Sequence, residues 1–407
     1  DEQAKALVQA VERTTTLPAA TGEPDERTLE GAYEAYARSA DRHRGGFGGA
    51  PKFPQPMAHL FLLRWWRRTG NADALEIVTT TLQNMAEGGI YDHLGGGFAR
   101  YSVDDRWVVP HFEKMLYDNA LLARLYLEAF QATGREDFRR AAAETLDYIR
   151  RDLRSEGGGF CSAEDADSEG EEGKFYVWTP EEVERVVGDP EAARIVGRFY
   201  GVSPEGNFEH RTTILTRTLP LDTCAKLFGK EPDEVARIVE DGRRKLFEAR
   251  SRRVRPGLDD KVLAGWTGLA AHAFALGWRV LGRADDRASA EAALRFVLDR
   301  MRRNGKLQRT WKAGEARIDA FQEDYAFLLD ALVALYESTF DPEWIERALP
   351  LADRMIELFS DEARGGFFFT EPGRPDVLVR GKSPYENAIP SGNASAAMAL
   401  VRLARLT

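Results

Sequence analysis

His111, Lys114 and Asp118 stand three and four residues apart, the spacing that lines side chains along one face of a helix. A histidine, an amine and a carboxylate on one face can pass protons to and from a bound molecule, because their charge states are easily shifted by burial and by each other. Tyr117 borders that face. The same residues would also serve as an N-cap and a buried ion pair, since structural networks use the same residue types. A second acidic group follows in the run from Cys161 to Gly173, where Glu164, Asp165 and Asp167 could do acid–base work or bind hydroxyls. Asp165, Asp167 and Glu169-Gly170 partly match the start of a calcium loop, but the twelfth position is Tyr176 instead of a bidentate Glu. No metal and no cofactor is expected. The catalytic candidates are therefore His111, Asp118, Glu164, Asp165 and Asp167.

These residues need elements to hold them. Several apolar stretches begin with proline and a polar cluster before the apolar run starts. Such starts are Pro51-Lys52-Phe53-Pro54, Pro110-His111-Phe112-Glu113-Lys114, Pro256-Gly257-Leu258-Asp259-Asp260-Lys261, Gln322-Glu323-Asp324-Tyr325 and Pro390-Ser391-Gly392-Asn393. If the apolar helices run parallel, their N-termini meet at one mouth, where free N–H groups and helix dipoles also point. A ring of polar groups at a concave mouth is the default binding site. The expected substrate-binding set is Lys52, His93, Arg100, Tyr101, Lys114, Tyr117, Tyr176, Trp178, Asp259, Asp260, Lys261, Trp266, Glu323, Asp324, Tyr325, Ser391 and Asn393.

The helices fall into two kinds. Residues 136–154 carry Phe138, Ala142, Leu146, Ile149 and Leu153 on one face, so one side is wet. Residues 28–42, 72–87, 233–249, 285–303 and 342–359 read the same way, with Pro350 a potential kink in the last. Residues 111–130, 260–281, 321–336, 391–406 and 56–66 are apolar nearly all round, and 191–200 forms a weaker sixth. A helix apolar on every face is buried on every face. Six wet helices alternating with six buried ones predict two concentric rings, an all-α (α/α)6 barrel over residues 28–407, with short β-hairpins at one mouth. Residues 174–178 read as a strand. Gly-Gly-Phe recurs at residues 45–47, 96–98, 158–160 and 365–367. Its glycines are expected to end outer helices and turn the chain back.

Several long motifs resemble the spermatogenesis-associated protein 20 family of thioredoxin-domain-containing proteins. They are Gly45-Gly-Phe-Gly-Gly-Ala-Pro-Lys-Phe-Pro54, Tyr91-Asp-His-Leu-Gly-Gly-Gly-Phe98, Val109-Pro-His-Phe-Glu-Lys-Met-Leu-Tyr-Asp-Asn119, Ser162-Ala-Glu-Asp-Ala-Asp-Ser-Glu-Gly170, Leu258-Asp-Asp-Lys261 and Pro390-Ser-Gly-Asn393. The resemblance runs from about Gly45 to the end. It implies a thioredoxin-like domain ahead of an (α/α)6 domain similar to N-acylglucosamine and cellobiose 2-epimerases. On that expectation this chain is a piece of a longer polypeptide, residues 1–27 are the remnant of a linker, and the thioredoxin-like domain is the expected partner. No redox role is carried over, because the chain has only Cys161 and Cys224, far apart and without a C-x-x-C.

Composition narrows the function classes. The 407 residues hold 66 acidic and 56 basic side chains, a formal net charge of −10. With no long basic stripe, a nucleic-acid partner is not expected. No apolar run is long enough for a membrane span. Separated cysteines fit a reducing, cytoplasmic setting. There is no G-x-S-x-G, H-E-x-x-H or Walker lysine. Carboxylates beside Tyr101, Trp107, Tyr176, Trp178, Trp266 and Tyr325 suit a sugar-like ligand, with rings for stacking and acids for proton transfer. The expectation is a sugar epimerase or isomerase if a histidine pair spans the substrate, or a glycosidase if two carboxylates do. The alternative is a non-catalytic ligand- or protein-binding barrel.

Overall fold

A computed structural model of the chain describes residues 25–407 together with residues 2, 3, 6–8 and 10. The linker expected over residues 1–27 falls for the most part outside the described residues. The chain packs into two compact units that interleave along the sequence: the first holds residues 31–151 and 163–259, and the second the remainder.

In the first unit, or entering it, are α1 (Glu26–Ser39), α2 (Pro56–Thr69), α3 (Ala72–Glu87), α4 (Leu116–Thr133) and α5 (Glu136–Asp152). Helices α6 (Pro180–Val187), α7 (Pro190–Phe199), α8 (Leu221–Phe228) and α9 (Pro232–Arg250) follow. Asn71 starts α3 by accepting from the Ala74 N–H, and Phe138, Ala142, Leu146 and Ile149 bury the inner face of α5 as its spacing predicts. Helix α4 is buried on nearly every side, from Leu116 to Ala129.

Three local expectations are corrected. The apolar run at residue 111 does not start as a helix. Tyr101–Ser102 (β1) pairs antiparallel with Pro110–His111 (β2), and Lys114–Met115 (β3) pairs with Cys161–Glu164 (β4). The ladder claims the N–H and C=O groups that a first helical turn would have used, so α4 begins only at Leu116. The strand expected over residues 174–178 is a turn as far as Tyr176, and only Trp178 keeps extended pairing, an isolated antiparallel bridge to Thr213. Gly173 has φ +75°, and its carbonyl accepts from the Tyr176 and Val177 N–H groups. Helix α7 is one-sided, with Glu191, Arg194 and Arg198 exposed and Ala193, Ile195, Val196 and Phe199 buried in a cluster with Trp178, Val235 and Leu246. The hairpin of Asp167–Ser168 (β5) and Glu171–Glu172 (β6) completes the unit.

The second unit contains β7 (Leu258–Leu263), α10 (Ala264–Leu281), α11 (Ala284–Arg295) and β8 (Arg302–Arg303). It continues through β9 (Lys306–Lys312), β10 (Glu315–Asp319), α12 (Gln322–Thr339), α13 (Glu343–Phe359) and α14 (Gly392–Leu406). Strand β9 is the middle of a ladder with β7 on one side and β10 on the other. Helices α10 and α12 are buried almost all round, whereas α13 has one apolar face and carries Pro350 inside it. Helix α14 departs from its expected full burial. Ala396, Ala399 and Leu403 form a buried stripe, while Met398 and Val401 are exposed. Among the described residues no helix is long and apolar enough to cross a membrane.

Candidate functional site

The Gly-Gly-Phe repeats build a recurring polar clamp. In three of them an aspartate stands four residues before the first glycine: Asp41, Asp92 and Asp361. In each, the aspartate N–H donates to the carbonyl of the second glycine, and the first glycine's N–H donates back to the aspartate carbonyl. One carboxyl oxygen then accepts two backbone N–H groups: His43 and Arg44 for Asp41, Leu94 and Gly95 for Asp92, and Ala363 and Arg364 for Asp361. The other oxygen takes a lysine, Lys52 at 2.6 Å, Lys114 at 2.9 Å or Lys382 at 2.7 Å. Burial opposes the charge of Asp41, yet Lys52 and the backbone donors hold its carboxyl at about 2. Burial opposes the Asp92 charge still more. Arg250, whose two terminal nitrogens each lie 2.8 Å away, and Lys114 hold that carboxyl well below the usual range. Lys52 and Lys114, both read as substrate-binding, are therefore held inside these clamps.

Asn393, also read as substrate-binding, belongs to the same scaffold. Its amide accepts from Phe367 N–H at 2.7 Å and donates to Phe367 C=O at 3.0 Å. Asn119 does the same to Phe98, at 2.7 and 3.0 Å. Gly97 and Gly366 lie at φ +81° and +72°, and a Cβ on either would come within 3.0 Å of the asparagine oxygen. The position needs glycine for both reasons.

A different arrangement surrounds α4's first turn in the first unit. His111 and Glu113 alternate along the extended segment before the helix, which puts them on one side. His111 Nε2 lies 3.7 Å from Glu113 Oε2, and His111 Nδ1 lies 2.8 Å from Glu172 Oε1 on β6. Arg100 reaches Glu113 at 3.0 Å. The His111 ring stacks on Tyr101 at 5.1 Å, and Tyr101 packs on Phe53 at 4.8 Å, leaving Phe53 43% exposed. Asp118, on the first turn of α4, is 5% exposed, and its Oδ2 is buried with no partner. Among the described residues its carboxyl makes no hydrogen bond. Burial pushes it well above the usual carboxylate range. Arg100 offsets that only in part, and Glu113 adds to it. Tyr117 is raised to about 12 by burial and by Asp118. Arg100, Tyr101, Glu113 and His111 thus form one cluster, which neighbours Tyr117 and Asp118 through Arg100 and Glu113, although His111, Lys114 and Asp118 do not share a helix face. The segment is extended up to Met115, and Lys114 turns away to Asp92.

The remaining residues of the first unit fall outside that core. Glu164 is 2% exposed and is held by Tyr148 at 2.7 Å and Arg255 at 2.8 Å. Asp165 and Asp167 are exposed on the hairpin that carries Glu172. Tyr176 closes a cavity of about 30 Å³ with Asp92, Lys114 and Arg250, room for a single water. His93 lines it as well, with Nε2 2.9 Å from Gly88 O and its ring pushed down to about 4 by burial. Trp178 is 1% exposed, with Arg253 4.0 Å over its ring.

The second unit gathers its own charged groups. Arg309 bridges Glu323 at 3.0 Å and Asp324 at 2.9 Å, and Asp324 also accepts from the Gly265 and Phe321 N–H groups. Burial raises both carboxyls. Asp260 is exposed and paired with Lys312 at 2.7 Å, and Lys261 and Trp266 are half-buried, as is Asp259 at the end of the first unit. Tyr325 packs edge-on against Phe359, and Ser391 caps α14 by accepting from the Ala394 N–H. No group of three or more potential ligand side chains able to hold a metal occurs among the described residues.

Sequence reasoning missed Glu113, Glu172, Phe53, Asp92, Arg250 and Asn119. Alternation in an extended segment would have exposed Glu113 beside His111, and the recurring aspartate before Gly-Gly-Phe would have exposed Asp92. No local signal links Arg250 to Asp92, which is 158 residues away.

No family model matches the chain. Mouse spermatogenesis-associated protein 20 is 36% identical over 96% of the chain and 54% of its own length. The human protein is 36% identical over 95% of the chain, again with 54% of its own length covered. An uncharacterised Caenorhabditis elegans protein is 30% identical over 93% and 56% of the two chains. The chain thus spans about half the length of the curated relatives it matches. Among solved structures, a UGL variant determined with dGlcA-Glc-Rha-Glc aligns with TM-score 0.55 and 14% identity, over 94% of this chain and 81% of that one. An α-1,6-mannanase of Salegentibacter aligns with TM-score 0.50 and 12% identity, over 100% and 98%. Such low identity speaks to fold alone, and the fold class is the (α/α)6 barrel. By sequence the chain is homologous to about half of each spermatogenesis-associated protein 20 it matches.

Proposed function

We propose that the chain is a carbohydrate-active domain that hydrolyses a glycosidic bond at the site around Asp118. The observation that carries this reading is the Asp118 carboxyl, buried and without a hydrogen-bond partner beside the Arg100–Glu113 pair. Burial makes such an acid hold its proton more tightly than an ordinary carboxyl, the state from which it can donate to a leaving oxygen. Asp118 gives its proton to the glycosidic oxygen as the bond to the anomeric carbon breaks. Water attacks that carbon, and its proton passes to the Glu113 carboxylate. Phe53, Tyr101 and His111 supply rings for a sugar face. The two carboxyls favour hydrolysis over epimerisation, since His93, the other histidine of the expected set, is committed to Gly88 O. The sugar chemistry named for the mannanase agrees with this reading without establishing it.

The test is turnover of a chromogenic glycoside library. Asp118→Asn and Glu113→Gln should each lose about 10²–10⁴-fold in rate, the usual worth of an acid or base group. Their circular dichroism should stay native. Full activity in Asp118→Asn overturns the assignment.

A further inference from the structure

Resting on that reading, we infer that Phe53 is a remote sugar platform, so that the site takes an oligosaccharide in preference to a single glycoside. The inference comes from a small sheet that turns its aromatic side to solvent. Lys52 and Ser102 exchange N–H···O=C bonds of 2.8 and 2.9 Å in an isolated antiparallel bridge, and Ser102 lies opposite Pro110 across β1 and β2. Three extended segments therefore run side by side. On one face Lys52, Ser102 and Pro110 are buried, with the Lys52 amine fixed by Asp41 at 2.6 Å and by the Asp105 carbonyl at 2.9 Å. Alternation turns the next residue of each segment, Phe53, Tyr101 and His111, to the other face. The outward positions of a half-solvated sheet are ordinarily polar. Here they are three rings in a row, with Val103, 48% exposed, just beyond Ser102.

The row has a direction. It starts at Glu113, the proposed base, which lies 3.7 Å from the His111 ring and holds Arg100, the neighbour of Tyr101, at 3.0 Å. Tyr101 sits between His111 and Phe53, at 5.1 and 4.8 Å, so its two faces are taken and a sugar meets only its edge. The open ring face is that of Phe53, 43% exposed at the far end. The loop that leads into it, Gly48-Gly49-Ala50, is exposed and carries nothing larger than a methyl group, so it leaves that face uncovered. Neighbouring segments of a sheet lie about 4.8 Å apart, which puts Phe53 about 10 Å from His111. A pyranose cleaved beside Glu113 cannot also lie on Phe53, whereas a chain with further units reaches both. The patch is too narrow for a protein partner. Tyr101 and His111 are half-buried, and with Phe53 and Val103 they fall short of the roughly 800 Å² a side of a stable interface. The backbone bridge and the buried Lys52 hold the Phe53 ring in place before any ligand arrives, which removes an ordering cost from binding.

The substrates are 4-nitrophenyl glycosides of glucose, galactose and mannose in both anomers, each as the monosaccharide and as its 1,4- and 1,6-linked trisaccharides. In the series that is turned over, kcat/KM should be higher for a trisaccharide than for the monosaccharide. Phe53→Ala should cut that ratio about five- to tenfold, the worth of covering part of one phenylalanine ring. Phe53→Leu keeps an apolar contact with Tyr101 but has no flat face, and it should cut the ratio as well, whereas Phe53→Tyr should keep it. A ratio is unmoved by a general loss of folded enzyme, so a poorly folding variant does not imitate the effect. Equal kcat/KM at both lengths, or a ratio that survives Phe53→Ala, overturns the inference and leaves the hydrolase reading standing. A dimer that Phe53→Ala splits in size-exclusion chromatography would give the face to a second copy and overturn the inference too. Turnover of no glycoside overturns both.

Discussion

The Phe98–Asn119 clamp of the first unit and the Phe367–Asn393 clamp of the second use the same parts. Each has an aspartate, two glycines in left-handed conformation, a lysine on the free carboxyl oxygen, and an asparagine that grips a phenylalanine's backbone from both sides. They differ just before the asparagine. The first has Asp118, buried and unpartnered, and the second has Gly392, where a Cβ would run into Gln322 Oε1 at 2.2 Å. They differ again at the aspartate, since Asp92 carries Arg250 as well as Lys114. The shared parts hold the start of an inner helix, and what differs is where the proposed chemistry would sit in one copy.

The comparison can be broken most forcefully at the aspartates. Asp92→Ala leaves Lys114 and Arg250 buried without their counter-charge. About 3–5 kcal/mol of stability should go, read by denaturant melts, with aggregation as the extreme outcome. Asp361→Ala removes one partner of a single lysine and should cost clearly less. Equal losses would contradict the view that the Asp92 copy has been elaborated. The Asp92 contribution also has a defined pH sense. Its folded value lies below the ordinary 3.8, so its stabilisation is complete above that value and disappears as pH falls through the depressed one. Acid melts of the wild type should therefore steepen below about pH 4, and those of Asp92→Ala should not.

The asparagines sharpen the comparison. Asn119→Ala strands the Phe98 N–H and C=O in a buried setting and should cost about 1–3 kcal/mol. Asn393→Ala, on a half-buried clamp, should cost less. Only Asn119→Ala should also change glycoside turnover, because Asn119 sets the helical turn that aims Asp118. Matching kinetic effects from both would remove the link between clamp and site.

The smallest effect concerns Asp118 itself. Its folded value is raised, so the folded protein must keep a proton that the unfolded chain gives up above about pH 4. The group therefore lowers stability progressively as pH rises from there towards neutrality. Asp118→Asn should melt at the same or a slightly higher temperature at pH 7, and that gain should shrink towards pH 4. A lower melting temperature at pH 7 would falsify the reading of Asp118 as a group kept at a cost to the fold.

Much of the scaffold was legible because periodicity is local. Residues 72–87 become α3 without adjustment, and the inward face of α5 is the one its spacing names. What failed depended on distant partners. His111 and Lys114 sit at helical spacing, yet Tyr101 and Glu164 draw them into ladders, and the helical pattern does not announce ladder partners ten and fifty residues away. The site was half legible for the same reason. The sequence points to Asp118, His111, Tyr101 and Arg100 of the candidate cluster, but it also offers Lys52 and Lys114 as ligands, because a lysine beside a motif reads alike whether it faces solvent or a buried aspartate. Glycine repeats were read as helix ends, and only the geometry shows that the aspartate ahead of them completes the unit.

Asn393 is also the first residue of an Asn-Ala-Ser triplet, the acceptor pattern for an N-linked glycan. In the folded chain its amide nitrogen is spent on the Phe367 carbonyl, 3.0 Å away. A glycan could be attached only before the second clamp closes, and once attached it would hold the clamp open. In a glycosylating host, the fraction of chains carrying sugar at Asn393 would then report how late the Phe367 turn forms.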